Sequence, residues 1–240
     1  MSRKIAIIGA GQSGLQLGIG LVKKGYDITI YSNRTPEEIL NGRVTSSQCM
    51  FDIALQNERE IGINLWDETC PPVEGIGLTV PNPEVPGEKL FSWAAKIDAN
   101  AQSVDQRIKM PKLIEVFEEN GGKMVYQNIE KEDLDGIASQ NDLTILAAGK
   151  GDIVRMFERD DEKCMYDKPM RALALTYVHG MKPNKPFSRV SFNLIPGVGE
   201  YFVFPAETIS GPCEIMVFEG IVGGPMDCWQ DAKTPEKHLE

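Results

Sequence analysis

The sequence predicts an α/β protein with two regions: a Rossmann-like, parallel-sheet nucleotide domain over residues 1–165 and a β-rich domain over residues 166–240. Three observations carry that expectation. Strand and helix signals alternate from Lys4 to about Lys150, as in parallel sheets with crossover helices. The first strand-to-helix junction holds Gly9, Gly11 and Gly14 in the spacing G-x-G-x-x-G. Beyond Lys150 strand-like runs follow one another, with Gly and Pro between them.

The first element is Ile5 to Ile8, an apolar, largely β-branched run without alternation, as expected of a strand buried on both faces. The glycines of the motif serve three separate ends, namely a tight turn, close approach of the backbone to a pyrophosphate, and close packing of helix on strand. Leu15, Gly18, Ile19 and Val22 recur at helical spacing, Gly25 falls where a C-terminal cap belongs, and Asp27 to Tyr31 completes a βαβ unit. The helix start offers unpaired N–H groups and the positive end of its dipole to a phosphate. The acidic residue usually found about 20 residues on, where it binds a ribose, is missing. Ser32 and Asn33 stand there as ribose hydrogen-bond candidates, and Arg34 as a candidate for a 2′-phosphate, so the motif leaves FAD, NAD and NADP open.

Thr35-Pro-Glu-Glu reads as a helix start with a capping box, and Asn41-Gly42 as its end. Arg43 follows, then a polar loop and a helix over about Phe51 to Glu60. An arginine so placed is either a phosphate clamp or an ordinary surface residue. Gly75 to Val80 and Lys89 to Ala94 form a β-hairpin across a proline-rich turn, an excursion near 73–97. A helix is expected from a Ser103 cap to Asn120, with Pro111 marking a kink or a start near Met110. Lys123 to Gln127 and Asp142 to Ala147 are strands, the second ending in small residues at Ala147 to Gly149. Four further strands are expected near Met170–His179, Arg189–Leu194, Tyr201–Phe204 and Glu214–Phe218, with turns at Pro196-Gly197 and Gly211-Pro212. Met170, Phe187, Phe192, Phe202, Phe204 and Phe218 are candidates for the lining of a substrate pocket, or for simple core.

A net charge of -10 argues against nucleic acid or an anionic membrane surface as partner. No apolar run reaches the length of a membrane span, and the first strand begins at once, which together predict a cytoplasmic protein without a signal peptide. Five scattered cysteines without a C-x-x-C pair support neither a disulfide framework nor a zinc site, and two histidines are too few for most metal sites or a Ser-His-Asp triad. No metal is expected, and chemistry here would be carried by a bound organic cofactor.

Taken in order, IAIIGAGQSGLQLGIGL, DITIYSNRTPEE followed by Arg43, SVDQR with the later NGGK, EDLDGIASQNDLTILAAGKG and KPMRALALTYVHGMKP resemble the styrene and indole monooxygenase family. These are the oxygenase components of two-component flavoprotein monooxygenases, within the hydroxybenzoate-hydroxylase-like fold. The resemblance implies FAD as cofactor, with Gly9, Gly11, Ser13 and Gly14 at its pyrophosphate, Ser32 and Arg34 at its adenosine half, and Arg43 at a phosphate or the ribityl chain. Gln12, Asn33, Arg107 and Gly149 complete the expected cofactor-binding set. It also implies reduced FAD delivered by a separate NADH-dependent flavin reductase, and oxygen transfer to a small aromatic substrate by epoxidation or hydroxylation. Styrene-type members carry an asparagine where Ser46 falls. Ser46, Ser47 and Gln48 are the expected hydrogen-bond donors beside the flavin ring. Family members continue to a later Gly-Asp flavin motif that this sequence lacks, so it is expected to be an N-terminal portion, with an open sheet edge that would favour a homodimer. Two alternatives stay open: a non-catalytic or truncated FAD-binding module, and an NADP-linked oxidoreductase drawing on Arg34.

Overall fold

The computed structural model describes residues 2–44, 48–149, 151–232, 234, 236 and 237. They form two compact units: Met1–Ser46 with Ile53–Leu65 and Asp105–Arg159, and Ser47–Asp52 with Trp66–Val104 and Asp160–Glu240.

The first unit holds strands β1 (Lys4–Ile8) and β2 (Asp27–Ser32), helices α1 (Gln12–Lys23), α2 (Pro36–Leu40) and α3 (Asp52–Glu60), and helix α4 (Gln106–Glu119). Strand β5 (Lys123–Tyr126), helix α5 (Leu134–Ser139) and strand β6 (Leu143–Leu146) complete it. Its sheet is fully parallel in the order β5-β2-β1-β6. Strand β1 is central, and its alternate residues enter different cores. Ile5 and Ile7 pack with Leu15 and Ile19 of α1 and with Leu113, Ile114 and Phe117 of α4, whereas Ala6 and Ile8 pack with Ile129 and Ile137. A strand buried on both faces has no use for a polar residue, which is why the run reads as unbroken apolar sequence.

Helix α1 ends as the glycine at 25 implied. Gly25 has φ +85°, its N–H donates to the Val22 carbonyl, and the Tyr26 N–H reaches back to the Leu21 carbonyl, the paired bonds of a Schellman cap. Thr35 and Glu38 form the expected capping box of α2. Helix α4 differs from the sequence reading. Its cap is Asp105, whose side chain accepts from the Arg107 N–H, not Ser103. Ser103 instead extends the second unit, its carbonyl accepting from the Glu207 N–H. Pro111 lies inside α4 without ending it.

The second unit is a six-stranded mixed sheet of β3 (Val73–Pro81), β4 (Lys89–Ala101), β7 (Arg171–Val178), β8 (Val190–Ile195), β9 (Gly199–Thr208) and β10 (Gly211–Ile221). The order is β4-β3-β8-β9-β10-β7, with one parallel pair, β3 with β8. The excursion near 73–97 is thus two strands of this sheet. Its core gathers Val73, Ala101, Val190, Phe204, Ala206, Ile215 and Val217. The turn between β9 and β10 is at Ile209 and Ser210, and Gly211-Pro212 already belongs to β10. Thr208 tightens that turn by donating to the Gly211 carbonyl at 2.7 Å.

Candidate functional site

Strands β1, β2 and β6 run parallel, so their C-terminal ends open at one edge of the sheet, where crevices form in such folds. A cleft of about 990 Å³ lies there, within the first unit. Its floor is Ile8 to Ser13, its sides are Tyr31 to Arg34 after β2 and Ala147 to Gly149 after β6, and Gln106, Arg107 and Met110 reach it from α4.

Two of the three motif glycines are required by the chain itself, each for its own reason. Gly9 has φ +118°, and a Cβ there would lie 2.4 Å from the Ala147 carbonyl oxygen, so the turn crosses the end of β6 at backbone distance. A Cβ on Gly14 would lie 2.0 Å from the Gly9 carbonyl oxygen, so only glycine lets α1 start this close to the turn. Gly11 is the informative one. Its φ of -87° suits any residue and a Cβ there would meet nothing within 4 Å, so no contact among the described residues calls for glycine. The open position borders the cleft, a space that a close-lying ligand backbone would use. Helix α1 also has no side-chain cap and no acidic residue in its first turn. Its first N–H groups therefore remain available to an anion.

Among the described residues, cationic side chains outnumber anionic ones around the cleft although the chain is acidic, with Arg155 paired to Asp152 at 3.2 Å. Arg34, Arg43, Arg107, Lys131 and Arg155 line it, against carboxylates from Glu130, Asp152 and Glu158. Arg107 is fixed by Asp105, with Nε at 2.9 Å and Nη2 at 2.6 Å from Oδ2. The same carboxylate caps α4, so helix start and guanidinium are set by one residue. Ser32 is buried and turned toward its own backbone, donating to the Arg34 carbonyl at 2.7 Å and accepting from the Arg34 N–H. It shapes the turn on which the exposed Asn33 and Arg34 side chains stand.

Of the candidate residues, Gly9, Gly11, Gln12, Ser13, Ser32, Asn33, Arg34, Arg43, Arg107 and Gly149 line this one cleft. Gly14 is buried beneath it. Ser46 and Ser47 lie outside the described residues, and the half-buried Gln48 belongs to the second unit and does not line the cleft. Gln127 to Lys131 and Arg155 are lining residues that the sequence does not signal, since they stand on a loop and on short 3-10 turns without a motif. Equally unsignalled is a buried ion pair, Lys109 Nζ to Glu58 Oε1 at 2.6 Å, with the two side chains 2% and 1% exposed. Glu58 Oε1 accepts in addition from Gln12 Nε2 at 2.7 Å. The helical face of Leu55 and Glu58 is legible in the sequence; that a carboxylate on it would be buried is not.

In the second unit a smaller pocket of about 260 Å³ lies against β7, lined among others by Leu173, Val222, Met226 and Trp229. None of the six residues considered for a substrate pocket lines it. Phe204 is core, Phe192 and Phe202 pack on each other with centroids 5.0 Å apart, and Phe218 lies between Tyr201 and Trp229. Among the described residues there is no group of His, Cys, Asp and Glu fit to hold a metal, and no helix long and apolar enough to cross a membrane.

Comparison with known proteins agrees with this picture. Residues 149–240 match the family described as "Styrene monooxygenase A putative substrate binding domain". The chain is 30% identical over 227 residues to the styrene monooxygenase StyA of Pseudomonas fluorescens, and 30% identical to that of a Pseudomonas species. Each alignment covers 95% of this chain and 53% of the relative, so the chain spans about half the length of the curated relatives it matches. Solved structures with the same fold include the flavin-dependent brominase Bmp2 (TM-score 0.65, 13% identity, 100% of this chain and 60% of that one). A flavoprotein/dehydrogenase from Cytophaga hutchinsonii also shares it (TM-score 0.66, 15% identity, 100% of this chain and 60% of that one). The chain is therefore similar to the styrene monooxygenases along nearly all of its own length and about half of theirs.

Proposed function

We propose that this chain binds FAD in the cleft of the first unit and belongs to the oxygenase component of a two-component flavoprotein monooxygenase. Its reaction would use reduced FAD and dioxygen to epoxidise or hydroxylate a small aromatic substrate of the styrene or indole type. The observation that carries the cofactor assignment is Gly11, a glycine with no conformational or packing reason among the described residues, beside an uncapped helix start. The similarity to styrene monooxygenases supports the choice of FAD among dinucleotides.

The residues fit that group. The first N–H groups of α1, from Gln12 and Ser13, would take the pyrophosphate, with Gly9 and Gly14 shaping the turn. Asn33 and Arg34 would hold the adenosine half on the turn that Ser32 shapes. Arg43 would reach a phosphate or the ribityl chain, and Arg107, held by Asp105, would add a fixed cation. Gly149, at φ +56°, lets the chain leave β6 beside the cofactor. Ser46, Ser47 and Gln48 are proposed as hydrogen-bond donors beside the flavin ring. Bound reduced FAD supplies the electrons and the dioxygen chemistry; the protein binds, orients and excludes water. A separate NADH-dependent flavin reductase is the proposed partner, and a homodimer the proposed assembly.

A second reading is a FAD-binding module without oxygenase activity, favoured by a dinucleotide cradle that lies wholly within the first unit. Titration with FAD and with NADPH, followed by addition of reduced FAD, dioxygen and styrene or indole, separates the possibilities. Preferential FAD binding with oxygenated product supports the monooxygenase. Binding of FAD with peroxide and no product supports the module, and preference for NADPH overturns both.

A further inference from the structure

Lysine and glutamate are among the residues least often fully buried, and a buried pair contributes little net stability because both ions lose their hydration. The Glu58–Lys109 pair is nevertheless shut from solvent, and its position explains why. Glu58 stands on α3 and Lys109 on α4, and one oxygen, Oε1, takes both Lys109 Nζ and Gln12 Nε2. Gln12 is the first residue of α1 and lines the cleft. Its other amide proton goes to Gln16 Oε1 at 3.1 Å, so the amide nitrogen is fixed from two sides. Lys109 is two residues from Arg107, which lines the cleft from the first turn of α4. The pair thus joins the two helix starts that border the anion site, where α1 has no side-chain cap of its own to hold it.

Charge gives the pair a second role. A carboxylate bonded to the first residue of α1 would satisfy the positive end of that helix from behind and oppose a phosphate in front of it. The lysine cancels that charge.

We propose that Glu58 is a positioning residue for the dinucleotide site, acting through Gln12 on the first turn of α1, and that Lys109 is its charge balance, keeping that turn free for the pyrophosphate. This rests on the nucleotide reading above.

The test compares E58Q, K109M and the double variant E58Q/K109M with the parent chain by titration with ADP, FAD and adenosine, with thermal unfolding as a check on folding. The readout is the preference for ADP over adenosine. An unbalanced carboxylate in K109M is expected to lower that preference about tenfold, the size of a helix-terminus charge effect of about 1.4 kcal/mol. Removing the carboxylate charge in E58Q is expected to raise it, and the double variant, with no charge at either position, to return it near the parent value. Loosened packing would move both single variants in the same direction, or adenosine as much as ADP, and either result overturns the proposal. Should K109M fail to fold, E58Q and the double variant carry the comparison alone. A parent chain that binds neither FAD nor ADP removes the nucleotide reading itself, whereas a parent that binds both, with variants that keep its preference, removes only this inference.

Discussion

Gly11 and Gly14 are three residues apart, one an extended residue just before α1 and the other within it, and their surroundings differ. Replacing Gly14 by alanine sets a Cβ 2.0 Å from the Gly9 carbonyl oxygen, so G14A is expected to lose the native turn and show a large fall in unfolding temperature. Replacing Gly11 by alanine adds a methyl group in open space, so G11A is expected to unfold near the parent temperature yet bind FAD at least about tenfold more weakly. The motif marks both positions in the sequence, but which one serves the chain and which the ligand is visible only from their neighbours. Glu214 gives a residue-scale pH prediction. Burial raises its carboxyl above the ordinary range, and its Oε2 has no hydrogen-bond partner among the described residues. A folded chain that keeps this proton longer than the unfolded chain loses stability as pH rises through the raised value, and not below the ordinary carboxylate range. E214Q should therefore raise the unfolding temperature at about pH 7, with the gain shrinking toward about pH 4. Cys49 is similar in kind: burial pushes its thiol up to about 12. Alkylation of the folded chain near neutral pH should accordingly label the exposed Cys164 and Cys228 ahead of Cys49.

Helices are legible at their ends more than along their lengths. Thr35, Pro36, Glu38 and Gly25 name their own roles because each satisfies backbone groups locally. The start of α4 misleads because SVD offers two capping side chains two residues apart, and Ser103 is already committed to backbone pairing with Glu207. Asp105 is the residue to test. D105A removes the cap and the partner of Arg107, and should cost about 1–2 kcal/mol in urea unfolding, with weaker FAD binding besides. Strands β9 and β10 are longer than their sequence signals for a related reason. Proline and glycine within them look like turns, whereas the cross-strand ladder carries straight through Pro205 and Pro212.

At the scale of the molecule, alternation of strand and helix followed by strand after strand correctly announces an α/β protein with a β-rich part. What the order of signals does not show is that the middle of the chain, Trp66–Val104, joins the later strands in one unit. Pairing between segments far apart in sequence leaves no local trace. The same division makes a prediction about ligand response. Hydrogen exchange on adding FAD should slow most in the first turn of α1, at the end of β2 and at 147–149, with β9 and β10 little changed. Equal slowing across both units would contradict a cofactor site confined to the first.

The parallel pairing of β3 with β8 has a consequence for biosynthesis. Pro81 and Val190 are separated by about 110 residues, so the β3–β4 hairpin leaves the ribosome long before its inner neighbour exists. At about 5–20 residues per second the delay is roughly 5–20 s, during which β6 is made and the whole first sheet becomes available to close. A newborn chain would thus hold a finished first unit and a waiting hairpin whose Val73 and Val80, buried once the sheet is complete, still face water.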